Sequence, residues 1–275
     1  MKKVNTKSVI SIIGEIIGTA HSPLKIISDD FNEYYLKAPK KQTSDFSIIN
    51  EFFVSALLNC WELKTPEIAA LVINIEEFNK KLSTYHNASN FNSTCFGSKV
   101  IPVNYEFSLI EDIANKRDFN KFSNPTDILK IGLFDIWVEN DDRKPTNPNL
   151  LLANEENGIE FYAIDHAYTF SSIKFTDLNP EFEPACSFNE SILNTDISKS
   201  VFKYIKKDNS KWFDEIRNYF YFSIEECKNN FGSIIDNIPS DLGFNEKSQT
   251  AIYNFLFSDS RNKKVFCEFL RRFDL

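Results

Sequence analysis

Glycine is scarce in this chain, which has 7 glycines among its 275 residues. Loops that wrap phosphate groups with backbone N–H groups are rich in glycine, because glycine reaches backbone conformations that strain other residues. The sequence contains neither a Walker-type loop nor a glycine-rich phosphate-loop pattern. It is therefore not a Walker-type P-loop protein.

A long apolar run is also missing. No stretch of 18 uncharged apolar residues occurs, so we expect no membrane span and no membrane partner. Residues 9–17 are apolar and follow a basic start, but Glu15 interrupts them and no convincing cleavage site follows. They predict a first strand rather than a signal peptide, and we expect a cytoplasmic protein.

Positive charge is in deficit, with a formal net charge of −8. Nucleic-acid-binding domains carry basic patches that neutralise phosphates, so this balance argues against a nucleic-acid partner.

The positions of the cysteines do not predict a framework of disulfide bonds. They are odd in number and widely scattered, and no Cys/His spacing typical of a metal site is present. Cys60 and Cys267 lie on predicted helices beside apolar residues. We therefore expect buried free thiols in a reducing compartment.

Phenylalanine is abundant, at 27 residues, and the chain is long enough to bury an aromatic core as one large domain or two lobes. Residues 1–75 predict strands with one long helix. Residues 76–102 are polar and predict a connector between the lobes that could touch ligand, and from residue 108 onward helical periodicity dominates.

The most informative stretch is the polar run 139–149. Asp142 and Asn147 are five positions apart, Asn149 precedes three leucines, and Asp165 follows 23 positions after Asp142. Phosphoryl-transfer enzymes need this order of groups: an Asp that orients the attacking hydroxyl, then an Asn and a second Asp that hold metal ions. The alternative is a solvated turn rich in Asn, Asp and Pro.

The predicted neighbours support a catalytic loop. Residues 126–137 predict an apolar helix, residues 150–153 and 159–164 two strands, and residues 154–158 the turn between them. The order is helix, polar loop, hairpin, and an Asp at a strand end. Such an Asp is costly within an apolar segment unless a metal or hydrogen bonds compensate its charge.

Upstream, Lys37 ends a predicted strand, and Glu51 lies on a predicted apolar helix over residues 46–61. This order matches the strand-Lys to helix-Glu ion pair that orients triphosphate in kinases. Either residue alone is better explained as an ordinary surface residue, but together they favour a functional pair.

Earlier still, two strand-like runs flank a small polar turn, which would suit a hairpin that covers phosphates. Its members are Gly18, Thr19, His21 and Ser22. A plain β-turn explains this segment equally well.

Taken together, these motifs resemble those of the HipA-like kinases, especially compact stand-alone members. The resemblance covers roughly residues 10 to 170 and rests on segments 18–23, 35–37, 50–51, 134–137, 140–143, 147–151 and 164–166.

The resemblance implies an α+β, two-lobed protein-kinase-like fold, with a strand-rich N-terminal lobe (residues 1–105) and a mainly helical C-terminal lobe (residues 106–275). It also implies ATP and Mg²⁺ as cofactors and a Ser or Thr hydroxyl of a protein as acceptor.

Each motif then takes a role. Lys37 would contact the phosphates together with the turn containing Gly18, Thr19, His21 and Ser22, and Glu51 would position Lys37. Asp142 would be the catalytic Asp, and Asp165 the principal metal ligand. Asn147 is favoured as the second metal ligand, with Asn149 as the alternative, and Arg143 is expected to pack or form a local salt bridge.

Two other classes of function stay open. The chain could be a pseudokinase that binds nucleotide and regulates a partner, which the glycine-poor turn makes credible. It could also phosphorylate a small molecule or a lipid, because acceptor choice depends on loops rather than on the fold. The sequence leaves the oligomeric state open.

Overall fold

The computed structural model describes residues 3–17, 22–40, 46–78, 82, 86–102, 116–184, 191–208 and 211–273. Within them, the N-terminal region is rich in strands and the C-terminal region is mainly helical, which is the α+β division into two lobes that the sequence predicts. The predicted boundary at residues 105/106 lies outside the described residues.

The N-terminal strands of the described part close into a barrel in the order β1-β2-β3-β5-β4. Their bounds are β1 Asn5–Glu15, β2 Leu24–Ser28, β3 Glu33–Lys37, β4 Ile68–Val72 and β5 Cys95–Lys99. β1 runs parallel to β4, and the other neighbours are antiparallel. Alternate side chains such as Leu24, Ile26 and Leu36 fill the interior.

The C-terminal lobe places a hairpin among helices. The helices are α2 Lys116–Phe119, α3 Asp127–Trp137, α4 Asp196–Asp208, α5 Trp212–Asn229, α6 Phe231–Asp236, α7 Glu246–Leu256 and α8 Asp259–Arg271. The hairpin pairs β6 Leu150–Glu155 with β7 Gly158–Ala163. Gly158 turns the hairpin at φ +130°, a conformation that suits glycine.

One long helix, α1 Ser47–Cys60, connects β3 to β4. Almost every residue of α1 is buried, because the helix is covered by the barrel on one side and by α5 and α6 on the other. Phe52 meets Phe96 of β5 edge-on, with ring centroids 5.1 Å apart. α1 therefore brings its polar residues into the region where the two lobes meet.

Two expectations from the sequence were wrong. The predicted connector 76–102 contains β5, which lies between β3 and β4 in the barrel. Cys267 is exposed and Cys60 only partly covered, whereas Cys95 and Cys227 are buried. Among the described residues, no helix is long and apolar enough to cross a membrane.

Candidate active site

Lys37 lies at the centre of a charged cluster between the lobes. It is the last residue of β3, and its Nζ contacts Glu51 Oε1 of α1 and lies 2.9 Å from Asp165 Oδ1. Glu51 is only 1 % exposed. Burial by itself lowers the pKa of Lys37, but the two carboxylates outweigh this effect and raise it, so the amine stays protonated.

Glu51 also holds the chain that follows β7. The backbone N–H of His166 donates to Glu51 Oε2 at 3.1 Å, next to Asp165. The preceding α1 residue, Asn50, donates from Nδ2 to the carbonyl oxygen of Ala167 at 3.0 Å. α1 thus fixes Lys37 and the segment after Asp165 at the same time.

Asp165 follows β7 with a left-handed backbone, φ 56°. Its side chain stays 34 % exposed, so a carboxylate oxygen faces the cleft even though Lys37 contacts the group. The ends of the hairpin are joined by a hydrogen bond from Ile164 N to Asn149 O at 3.0 Å. This bond brings the Asp165 segment against the polar loop before β6.

The polar loop organises its side chains around Asp142. The amide Nδ2 of Asn149 donates to Asp142 Oδ2 at 2.9 Å, and Nδ2 of Asn147 donates to the Asp142 carbonyl at 3.3 Å. Lys144 and Asn147 exchange two backbone hydrogen bonds, which closes the turn between them. The two candidate metal-binding amides are therefore both oriented by Asp142.

Arg143 fixes this loop to α3 and to the hairpin. Its guanidinium is buried, contacts Asp135 of α3, and donates to the carbonyl oxygens of Ile164 at 3.1 Å and Asn149 at 3.4 Å. Burial raises the pKa of Asp135 to about 7, although Arg143 and Asn140 oppose the rise. The local salt bridge expected of Arg143 is present, and it links helix, loop and hairpin.

A cleft of about 310 Å³ opens above the charged cluster. Its walls are mostly apolar, and Lys37, Glu51 and Asp165 lie among its lining residues. The apolar lining includes Ile16, Pro23, Phe96, Ile101, Leu151 and Ile164. An apolar cleft next to a charged cluster suits a ligand that has an apolar end and a charged end.

The structure brings most of the predicted site residues together in two adjoining groups. Lys37, Glu51 and Asp165 form one, and Asp142 with Asn147 and Asn149 forms the other. Of the predicted phosphate turn, Gly18, Thr19 and His21 lie outside the described residues. Ser22 has φ 40° and directly precedes Pro23 of the cleft wall.

Sequence reasoning missed the apolar lining and the role of Asn50. Asn50 stood next to Glu51 in a matched motif, and a polar residue on an apolar helix face was a usable signal. For Phe96 and Ile101 the sequence predicts only that the segment containing them, 76–102, could touch ligand; it does not predict an apolar cleft wall.

The donor set suits Mg²⁺. Within the described ranges, no three His, Cys, Asp or Glu side chains are grouped as a metal site. Mg²⁺ needs no such cage, since it prefers one or two protein oxygens together with substrate phosphates and water. Asp165 offers a carboxylate, and Asn147 or Asn149 an amide oxygen, so the residues present fit this ion.

Comparison with known proteins identifies the family of this chain. A family model described as HipA-like kinase matches residues 9–265. The structure is similar to that of the Helicobacter pylori proinflammatory kinase CtkA, at 13 % identity and a TM-score of 0.56, over 98 % of both chains. This likeness shows that the two chains share a fold, and it confirms the protein-kinase-like fold that the sequence predicts.

Two structures of the Golgi casein kinase are also similar. One has 11 % identity and a TM-score of 0.48, over 98 % of this chain and 73 % of the other. The second, with Mn/ADP bound, has 9 % identity and a TM-score of 0.42, over 100 % and 74 %. No curated protein matches the sequence.

The family match spans nearly the whole chain, including β3, α1, the polar loop and the hairpin that carry the charged cluster. This chain therefore belongs to the HipA-like kinase family and is a kinase-type phosphotransferase.

Proposed function

We propose that this chain transfers the γ-phosphoryl group of ATP, in a Mg²⁺-dependent reaction, to a Ser or Thr hydroxyl of a protein. The observation that carries the proposal is Lys37, which contacts Glu51 and Asp165 at the charged end of an apolar cleft. Lys37 and Glu51 orient triphosphate in this scheme, and Asp165 faces the metal.

The charge balance of the cluster supports a metal-nucleotide complex. One amine and two carboxylates leave the cluster of Lys37, Glu51 and Asp165 with one negative charge. Lys37 can bind phosphate oxygens while Glu51 holds its other side, and Asp165 is then available to the cation. Bound Mg²⁺ would supply positive charge against the phosphate oxygens.

Asp142 is assigned to the acceptor hydroxyl. Its Oδ2 is held by Asn149, which fixes the plane of the carboxylate. We assign its Oδ1 to the proton of the attacking hydroxyl. The orientation of the carboxylate matters because positioning contributes much of the catalysis in phosphoryl transfer.

The test is phosphotransfer by an Asp142→Asn variant. We expect turnover to fall by about 10² or more, because Asn cannot accept the proton. Stability should change little, since Asp142 lies in a partly exposed loop. Asp141→Asn is the matched control: the same substitution one position earlier should leave turnover near that of the unmodified protein.

The assay should use radiolabelled ATP, Mg²⁺, and in parallel a cell lysate, a lipid extract and the enzyme alone as acceptors. Label on Ser or Thr of protein is expected. Label only in lipid or small molecules would replace the protein acceptor, and no turnover with retained ATP binding would identify a pseudokinase. Full turnover by folded Asp142→Asn would contradict the catalytic assignment.

The same assay separates the two candidate metal-binding amides. We propose Asn147 as the ligand, so Asn147→Ala should need a higher Mg²⁺ concentration for half-maximal turnover. Asn149→Ala should instead lower maximal turnover at an unchanged Mg²⁺ requirement, because it frees the carboxylate of Asp142. The reverse pattern would exchange the two assignments.

A further inference from the structure

Two cysteines lie close together where the end of α1 packs on α5. Cys60 is the last residue of α1, and Cys227 lies in the last turn of α5. The Cys227 thiol is buried and donates a hydrogen bond to the carbonyl oxygen of Leu57, at 3.9 Å. Leu57 lies three residues before Cys60, so Cys227 packs against the last turn of α1, where the side chains of the two cysteines interact.

Only one of the two sulfurs can be reached from solvent. Cys60 is partly exposed and lines a cavity of about 680 Å³, which shares Thr65 and Pro66 with the lining of the candidate active-site cleft. This cavity is open to water and also contains Glu62, Glu67 and Glu226. A small neutral reagent can enter this cavity and contact Cys60, whereas Cys227 is buried and does not line the cavity.

The two thiols also differ in acidity. Interaction with the Cys227 side chain lowers the pKa of Cys60, against the opposing effects of partial burial and of Glu226. Burial raises the pKa of Cys227 well above its ordinary value, and the neighbouring Cys60 adds to the rise. The accessible sulfur is thus the better nucleophile, and its buried neighbour keeps its proton.

We propose that Cys60 and Cys227 form a peroxide-oxidised thiol pair, in which Cys60 is the reacting thiolate and Cys227 resolves it to a disulfide between α1 and α5. The inference does not depend on the proposed phosphotransfer.

The chemistry balances in two steps. The Cys60 thiolate attacks one oxygen of hydrogen peroxide; the S–O bond forms, the O–O bond breaks, and hydroxide leaves and takes a proton to become water. Cys227 then attacks the Cys60 sulfur; the S–S bond forms, the S–O bond breaks, and the proton of Cys227 leaves with the oxygen as a second water. Two thiols are oxidised and one peroxide is reduced.

The position of the pair gives the bond a structural consequence. α1 carries Glu51 and Asn50, which hold Lys37 and the segment after Asp165. A disulfide at the end of α1 would tie this helix covalently to the C-terminal lobe.

The experiment is peroxide titration of the reduced full chain, followed by intact mass and non-reducing peptide mapping. We expect the mass to fall by about 2 Da, from the loss of two hydrogens. We also expect a cross-linked peptide pair that contains Cys60 and Cys227, and dithiothreitol should reverse both changes.

Cysteine variants, and the behaviour of Cys95 in the unmodified protein, test whether the cross-link is specific to this pair. Cys60→Ser should abolish the cross-link. In the Cys227→Ser protein, Cys60 should remain a sulfenic acid that dimedone traps. If the Cys227→Ser protein does not fold, the Cys227→Ala protein serves for the same measurement. Cys267→Ser is the matched control, since its exposed thiol lies outside the pair, and should not change the cross-link. Cys95, whose burial raises its pKa to about 12, should stay reduced.

The proposal is overturned by any of three results. One is dimedone-trapped Cys60 in the unmodified protein without the cross-link. Another is oxidation of Cys267 while Cys60 stays reduced. The third is a disulfide that joins other cysteines and excludes this pair.

Discussion

At the scale of single residues, the feature that organises the site is one amine between two carboxylates. Lys37 and Glu51 were found in the sequence from their order on a strand and a helix, and the ion pair is present. The second partner, Asp165, is 128 residues away in the chain, so its contact with Lys37 depends on how the lobes close. Local sequence patterns cannot predict a contact between residues so far apart in the chain.

Substitution of Lys37 should show how strongly the cluster is coupled. Lys37→Met leaves Glu51 without its cation in a buried site, and we expect a loss of about 3–5 kcal/mol in the free energy of unfolding. Glu51→Gln in the same chain removes the stranded charge, so the double variant should recover part of the loss. A denaturant-based double-mutant cycle should give a coupling of about 1 kcal/mol or more.

An exposed pair of the same residue types is the control for this cycle. Lys25 and Glu33 join β2 to β3 at 2.6 Å, with both side chains at least one-third exposed. The cycle of Lys25→Met and Glu33→Gln should give a much smaller coupling than the buried pair, because water screens the exposed charges. Equal couplings in both cycles would refute a special role for the buried pair.

At the scale of elements, strong periodicity decided what could be predicted. α1 and α3 have long apolar faces, and the β6–β7 hairpin has a polar turn with glycine, so these elements were found with nearly the observed bounds. β5 was missed because its sequence, Cys-Phe-Gly-Ser-Lys, is short and places a glycine at a strand centre, which local preference disfavours. Packing explains that glycine: a Cβ at Gly97 would lie 2.6 Å from Leu71 Cδ1.

Packing against α3 gives a prediction about an element. Gly132 lies inside α3, and a Cβ there would come within 2.3 Å of Leu193 Cδ2 and 2.5 Å of its Cγ. Because Leu193 is itself buried, Gly132→Ala should destabilise the protein by about 1–3 kcal/mol despite the better helix propensity of alanine. Thermal or urea unfolding measures the change.

The control is the same substitution in another helix. A Cβ at Gly232 in α6 would have no described heavy atom within 4 Å, so Gly232→Ala should raise stability by up to about 1 kcal/mol through helix propensity. Opposite signs for the two variants would establish the contact with Leu193. A stabilising Gly132→Ala would show that α3 has room that the structure does not predict.

At the scale of the whole molecule, the two cores do not coincide with the two lobes. The barrel interior is one cluster, built around residues such as Leu24, Ile26 and Leu36. α1 lies before β4 in the chain, yet its apolar residues belong to the core of the C-terminal helices, together with Ile136 and Phe220. The Lys37–Glu51 pair therefore joins a strand of the barrel body to a helix of the larger, C-terminal body, whose core also includes Ala70 and Phe96 of the barrel strands.

This arrangement predicts with which body α1 unfolds. Ile26→Ala and Ile136→Ala remove the same side-chain atoms from the barrel core and from the larger core, and each should cost about 2–5 kcal/mol. In native-state hydrogen exchange, Ile136→Ala should lower the protection of the α1 amides as much as that of α3. Ile26→Ala should lower protection in the barrel strands and leave α1 close to its original value. If α1 instead lost protection with Ile26→Ala alone, the helix would belong to the barrel, and the charged pair would lie within one rigid body rather than between two.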